Sequence, residues 1–155
     1  MDAVCLGILV ADIFSSPVDS VPAAGELKLA ERFLLSAGGC AVNTAACLRR
    51  LGREVRVLGK VGQDLFGDFV LRDLERLGID ASSIKRSQTH PTSGTFIMNV
   101  KGEDRRYKKR TGLGPLPLQR KNNGISSVSA YVRRSRLVPG VNFRGRPAEI
   151  SFTMR

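Results

Sequence analysis

Cysteine, histidine and, over the final third of the chain, acidic residues are scarce, and each shortage excludes something. The three cysteines, Cys5, Cys40 and Cys47, form no Cys-x-x-Cys pair, and an odd number cannot be fully bridged within one chain. A reduced, cytosolic compartment is the simplest reading, so a cytoplasmic location is expected. The single histidine, His90, precedes Pro91 in a loop-like stretch without triad or metal partners, and no role is assigned to it. Long apolar runs are missing too. The stretch from Val4 to Ala11 stops at Asp12, far short of a membrane span, and Met1-Asp2-Ala3 lacks the basic start of a signal peptide. A soluble protein is expected. Gly59-Lys60-Val61-Gly62 has no Gly-Lys-Ser/Thr and is not a P-loop, and a Rossmann fingerprint is absent.

What is present is the composition of one globular domain, with 42% hydrophobic and 25% charged residues in 155. The net charge of +11 would ordinarily direct attention to nucleic acid. Residues 1–107, however, hold 14 Lys and Arg against 13 Asp and Glu, a net of +1. Residues 108–155 hold 11 against the lone Glu149, a net of +10. The basic excess belongs to the tail.

The front part alternates strand and helix signals. Val4 to Val10 reads as a parallel core strand buried on both faces. Leu27 to Leu35 reads as an exposed antiparallel strand. Gly38-Gly39 opens a helix that runs to about Leu51, with Ala41, Ala45 and Leu48 on one face and Gly52 as its stop. Val55 to Val61 is a second core strand. Asp64 caps a helix from Leu65 to Leu77, which turns Phe66, Phe69, Val70, Leu74 and Leu77 inward and Asp68, Arg72, Asp73 and Arg76 to water. Thr92 to Val100 is a strand, followed by a turn at Lys101-Gly102-Glu103-Asp104. The order implies an α/β layered fold.

The chemistry concentrates at Gly38-Gly39-Cys40-Ala41-Val42-Asn43. Two glycines leading into a helix let backbone N–H groups approach a ligand at the positive end of the helix dipole. Asn43 in the first turn offers a donor and an acceptor, and Asp12, read as lying just past the first core strand, adds a carboxylate. Strand ends are where open α/β sheets bind ligands. A carboxylate that accepts from two hydroxyls, beside an amide and free backbone groups, suits a small polyhydroxy compound. Cys40 is read as a neutral pocket wall.

Gly38-Gly39-x-Ala41-x-Asn43-x-Ala45, then six residues, Gly52, nine residues and Gly62, resembles the first signature of the PfkB or ribokinase-like carbohydrate kinases. Val61-Gly62-Gln63-Asp64-x-x-Gly67, Leu77-Gly78-Ile79-Asp80, Ser93-Gly94-Thr95 and Gly102-Glu103-Asp104-Arg105 extend the likeness over residues 3–107. The resemblance implies a ribokinase-like three-layer αβα fold with a small β lid, formed by about 13–35 and 92–107. It implies transfer of the γ-phosphate of ATP, with magnesium, to a hydroxymethyl group of a sugar or nucleoside. Asp12, Gly38, Gly39 and Asn43 would hold the substrate hydroxyls, Phe96 would touch its face, and the lid could pair with a second subunit's. No basic residue lies in 36–45 to hold a substrate phosphate, which favours an unphosphorylated sugar.

The family's general base sits in a later Gly-x-Gly-Asp motif, and an Asn-x-x-Glu motif helps organise magnesium. Neither occurs here; Gly112-Leu113-Gly114 is followed by Pro115. The resemblance therefore implies residues 1–107 as the N-terminal part of a kinase domain, with the catalytic half and the ATP site absent and no turnover. Residues 108–155 show no sustained periodicity, and disorder is expected there. They read either as a basic arm for nucleic acid, with Tyr131, Phe143 and Phe152 too sparse for stacking, or as the product of a shifted frame or a mis-joined gene. The loss of acids in the middle of a lid strand favours the second. Without a C-terminal half, the strands Val4–Val10 and Val55–Val61 are expected near an open sheet edge. Translating the DNA past codon 107 in all three frames should reveal a frame that continues the lid strand and later reads Gly-x-Gly-Asp. Frames that close quickly with stops would refute this.

Overall fold

The structure, a computed structural model, describes residues 1–104, 106–110, 112, 127–132 and 149–153. The first apolar run does not form one strand. It is divided between β1 (Ala3–Leu6) and β2 (Val10–Ser15), which belong to different sheets. Gly7, Ile8 and Leu9 carry the chain across. Leu9 drops into the core at 2% exposure, and its side chain lies over Gly59, where any Cβ would collide with it. Hydrophobicity alone could not mark this break, because all the residues around it are apolar.

The remaining elements are β3 (Phe33–Gly38), α1 (Cys40–Arg50), β4 (Val55–Gly62), α2 (Leu65–Arg76), β5 (Ile84–Ser87), β6 (Ser93–Met98), β7 (Arg106–Arg110), β8 (Ser127–Val132) and β9 (Glu149–Thr153). Residues 27–32, expected in a strand, lie outside any element, and Leu27 and Leu29 are 80% and 88% exposed. Pairing with β2 begins only at Phe33, opposite Ser15. Short and polar, β5 was not foreseen.

One sheet has the order β5-β4-β1-β8-β9. In it β5, β4 and β1 are parallel, while β8 is antiparallel to β1 and β9 to β8. Neither β1 nor β4 therefore lies at an open edge: β4 has β5 and β1 as neighbours, and β1 has β4 and β8. The last two strands come from the part of the chain in which no periodicity was recognised; its other residues after Gly112 are outside the described residues. The second sheet, the lid, has the order β3-β2-β6-β7. Here β7 runs through positions 107 and 108, so the expected domain boundary falls inside a paired strand.

Burial alternates along the core strands. Ala3, Cys5, Val55, Val57 and Val61 pack against Ala41, Val42 and Ala45 of α1 and Val70 and Leu74 of α2. Each fully buried Val or Leu contributes about 1.5–3 kcal/mol. Val4, Leu6, Arg56, Leu58 and Lys60 point to the other face and are half-buried, so β1 is not covered on both faces as expected. Among the described residues both helices lie on one side, giving two of the three layers of the αβα arrangement.

Both helices start and stop as their residues require. Gly52 and Gly78 follow α1 and α2 with φ of 75° and 68°, the left-handed conformation that glycine adopts at little cost. Asp64 caps α2, accepting from Gly67 N at 2.8 Å. The same carboxylate accepts from the Thr92 hydroxyl at 2.7 Å and from Thr92 N at 2.8 Å, and the hydroxyl in turn accepts from Gly62 N at 2.8 Å. One side chain thus joins the end of β4, the start of α2 and the start of β6. Asp73, assigned to the wet face, is instead buried at 7% exposure.

Partial burial pushes the Asp64 carboxyl up, but the donors from Thr92 and Gly67, with Arg110 nearby, bring it below the ordinary carboxylate range. A depressed folded pKa gives stability that is present above the unfolded value and lost as pH falls through the folded one. Asp64→Ala should cost about 1–2 kcal/mol at pH 7. The gap between variant and wild type should narrow at a pH well below the ordinary carboxylate value of about 3.9, where the depressed folded group is protonated too. Urea unfolding at both pH values measures it; a gap that persists in acid would refute the assignment.

Candidate functional site

The site grows from the crossing at Gly7–Leu9. Gly39, at φ 93°, is the N-cap of α1, and a Cβ there would strike the carbonyl oxygen of Ile8. Only glycine allows both that conformation and that approach. Gly38 answers a different demand, because a Cβ on it would land on Asp12 Oδ2. The carboxylate occupies the space where a side chain of residue 38 would be. The two glycines and the aspartate are one steric unit.

Asp12 does not lie beyond a core strand as expected. It sits within β2 of the lid, opposite Ser36 on β3 and Thr95 on β6. Lys109 on β7 stands opposite Thr95, so Ser36, Asp12, Thr95 and Lys109 make a polar row across one face of the lid. Burial raises the Asp12 pKa above the ordinary carboxylate value, against the opposing pull of the Thr95 hydrogen bond and the Lys109 charge. Thr95, Ser36 and Lys109 were missed as site residues. Their strand positions were legible, but the pairing that aligns them with Asp12 was not.

No side chain caps α1 and no acid lies in its first turn, so the positive end of this 11-residue helix faces the carboxylate side without a counter-charge of its own. Asn43 lies in that turn, exposed, its N–H bonded to Gly39 O at 2.9 Å. Cys40 is buried at the helix start. Burial pushes the Cys5 thiol up to about 11, leaving it an unreactive core group.

Asp12, Gly38, Gly39 and Asn43 are thus brought to one junction of lid and helix. Phe96 follows in β6. One position beyond Thr95, it points from the opposite face of the lid, where its ring meets Phe33 at 6.4 Å between centroids. It lines, with Ile13, Phe66, Thr92 and Arg110, a cavity of ≈ 360 Å³ that Thr95 and Lys109 of the polar row line too.

Among the described residues no three His, Cys, Asp or Glu side chains stand together as a metal site, and the sequence offers neither Gly-x-Gly-Asp nor Asn-x-x-Glu. Among the described residues no helix is long and apolar enough to cross a membrane.

The chain is similar to known kinases in sequence and in fold. The chain is 35% identical over 100 residues to 5-dehydro-2-deoxygluconokinase of Clostridium beijerinckii, covering 64% of this chain and 28% of that enzyme. Its structure resembles the nucleoside kinase of Methanocaldococcus jannaschii, with a TM-score of 0.59, 25% identity, and 70% and 36% of the two chains covered. It also resembles the fructokinase of Xylella fastidiosa with bound ATP, with a TM-score of 0.56, 28% identity, and 70% and 32% covered. The chain thus spans about a third of the length of these relatives. Residues 1–108 match the profile of the pfkB family carbohydrate kinases, and with the ribokinase-like fold, the double glycine and the aspartate at one junction, the chain belongs to that family.

Proposed function

We propose that residues 1–107 hold the polyhydroxy substrate of an ATP-dependent sugar or nucleoside kinase, and that these 155 residues alone bind it without phosphorylating it. The observation that carries this reading is the Asp12 carboxylate seated over Gly38, beside the uncapped start of α1. An ionised carboxylate accepts from two hydroxyls, and backbone groups at the start of α1 and the Asn43 amide read the others. The relatives are named for a dehydrodeoxygluconate, a nucleoside and fructose, which share that polyhydroxy character. Phosphoryl transfer depends on positioned charge, and the sequence supplies no Gly-x-Gly-Asp base or anion hole. Three unbridged cysteines suit a reducing cytoplasm. The basic tail lies mostly outside the described residues and carries no second reading.

Isothermal titration with ribose, fructose and a nucleoside should show binding by at least one. Asp12→Ala should weaken it about 10- to 100-fold, the loss of a charge-assisted hydrogen bond. Affinity should also fall in acid, and at a higher pH than for an ordinary carboxylate, because the Asp12 pKa is raised and protonation removes an acceptor. ATP-dependent phosphorylation should stay at the blank. Turnover that disappears in Asp12→Ala would overturn the inactive reading.

We also propose that the lid pairs with that of a second subunit. Its face opposite Asp12 exposes Phe33 at 62%, Leu35 at 41% and Phe96 at 36%, apolar surface that association would cover. Light scattering should report a dimer, and Phe33→Asp with Leu35→Asp a monomer. A monomeric wild type would refute the pairing.

A further inference from the structure

We infer that Asp73 is a positioning residue for the sugar site, holding the main chain of Ala37 so that Gly38 and Gly39 keep the conformation that admits Asp12 and starts α1. The inference rests on the sugar-binding reading above.

Asp73 is the one charged residue buried on α2, at 7% exposure. A carboxylate taken from water needs compensating donors, and its two oxygens divide the task. Oδ2 accepts from Ala37 N at 3.0 Å. Oδ1 accepts from the Arg76 guanidinium at 2.6 and 3.1 Å, one helical turn on. Arg76 comes from solvent, its side chain 77% exposed, and neutralises the carboxylate without entering the core.

The bond to Ala37 spans 36 residues of sequence and satisfies a specific need. In the lid β3 has β2 on one side only, and this N–H of Ala37 is taken by the helix, not by β2. Ala37 is itself buried at 8% exposure, so without Asp73 its N–H would be an unpaired buried donor. The anchor matters because Gly38 and Gly39 come directly after it in the chain. Two successive glycines have unusual conformational freedom, and their path must be imposed from outside. On the far side α1 fixes Gly39 through Asn43 N at 2.9 Å, and on the near side Asp73 fixes Ala37. A carboxylate on α2 thereby sets the backbone that α1 offers to substrate, although it touches no substrate itself.

The test uses the full 155-residue chain with Asp73→Ala, Asp73→Asn and Arg76→Ala. It combines hydrogen exchange followed by peptide mass spectrometry with titration of the sugar that binds best. Asp73→Ala should speed exchange in the peptide spanning 33–40, leave peptides of β4 unchanged, and weaken sugar binding about tenfold. Asp73→Asn retains an acceptor for Ala37 N and should restore most of both properties. Arg76→Ala leaves that bond in place and should behave closer to wild type than Asp73→Ala. Unchanged exchange and affinity in Asp73→Ala would overturn the inference. So would exchange raised equally throughout the chain with no rescue by asparagine, which would make Asp73 a general packing residue. If wild type binds no sugar but the local exchange pattern appears with rescue, the sugar reading fails and the hold of Asp73 on the glycines stands.

Discussion

The structure depends on a crossing made in three residues. Gly7, Ile8 and Leu9 take the chain out of the sheet that packs on the helices and into the sheet that forms the lid. The crossing is too tight to tolerate side chains around it. Gly39 comes against the Ile8 carbonyl, Gly59 lies under the Leu9 side chain, and Gly7 meets Ala41 of α1 at 3.2 Å from where its Cβ would be. Glycine and alanine surround the bend because the Ile8 carbonyl, the Leu9 side chain and the start of α1 fill the space that larger side chains would need. The binding junction is a consequence of that packing. Where the chain enters the lid it delivers Asp12, and where it returns through β3 it delivers Gly38 and Gly39 to the same place.

The motif Gly-Gly-x-x-x-Asn therefore combines two physical requirements. Gly39 answers to the fold, through its positive φ and its contact with Ile8. Gly38 answers to the site, through the room it leaves for a carboxylate. Substitutions there would act by different routes: at Gly39 one would strain the backbone, at Gly38 one would displace Asp12. The polar row that Asp12 shares with Thr95 and Lys109 adds a further constraint. It keeps the carboxylate half-buried yet hydrogen-bonded, which limits the cost of desolvating a charge.

Much of this was legible in the sequence, for reasons that can be named. Helix signals are local, and the Asp64 cap, the apolar face with Val70 and Leu74, and the stops at Gly52 and Gly78 all appear where their residues require. The Gly38-Gly39 approach to a helix was equally clear. Long-range partners were not. The uniform run from Val4 to Val10 contains no polar residue to mark where it changes sheets. Asp12 was assigned to the end of a core strand because its partners Ser36 and Thr95 lie 24 and 83 residues away. Asp73 was placed in water because the helical pattern shows the face it lies on but not the strand N–H that reaches it. The strands β8 and β9 do carry polar–apolar alternation, Ser127-Val128-Ser129-Ala130 and Glu149-Ile150-Ser151-Phe152-Thr153, but over too few positions to stand out in an otherwise irregular stretch, and the pairing of β8 with β1 and of β9 with β8 reveals them.

Asp64 has a consequence for how the molecule opens. Its carboxylate starts a helix in one part of the fold and fastens Thr92, the entry to β6, in another. On the far side of the lid, Gly112 returns to the same place, donating to the Ser93 hydroxyl at 3.1 Å. Fraying the first turn of α2 would therefore release the base of the lid in the same event. The shared carboxylate ties these distant elements into one opening unit, so the amides of the first turn of α2 and of the lid roots should exchange with a common free energy.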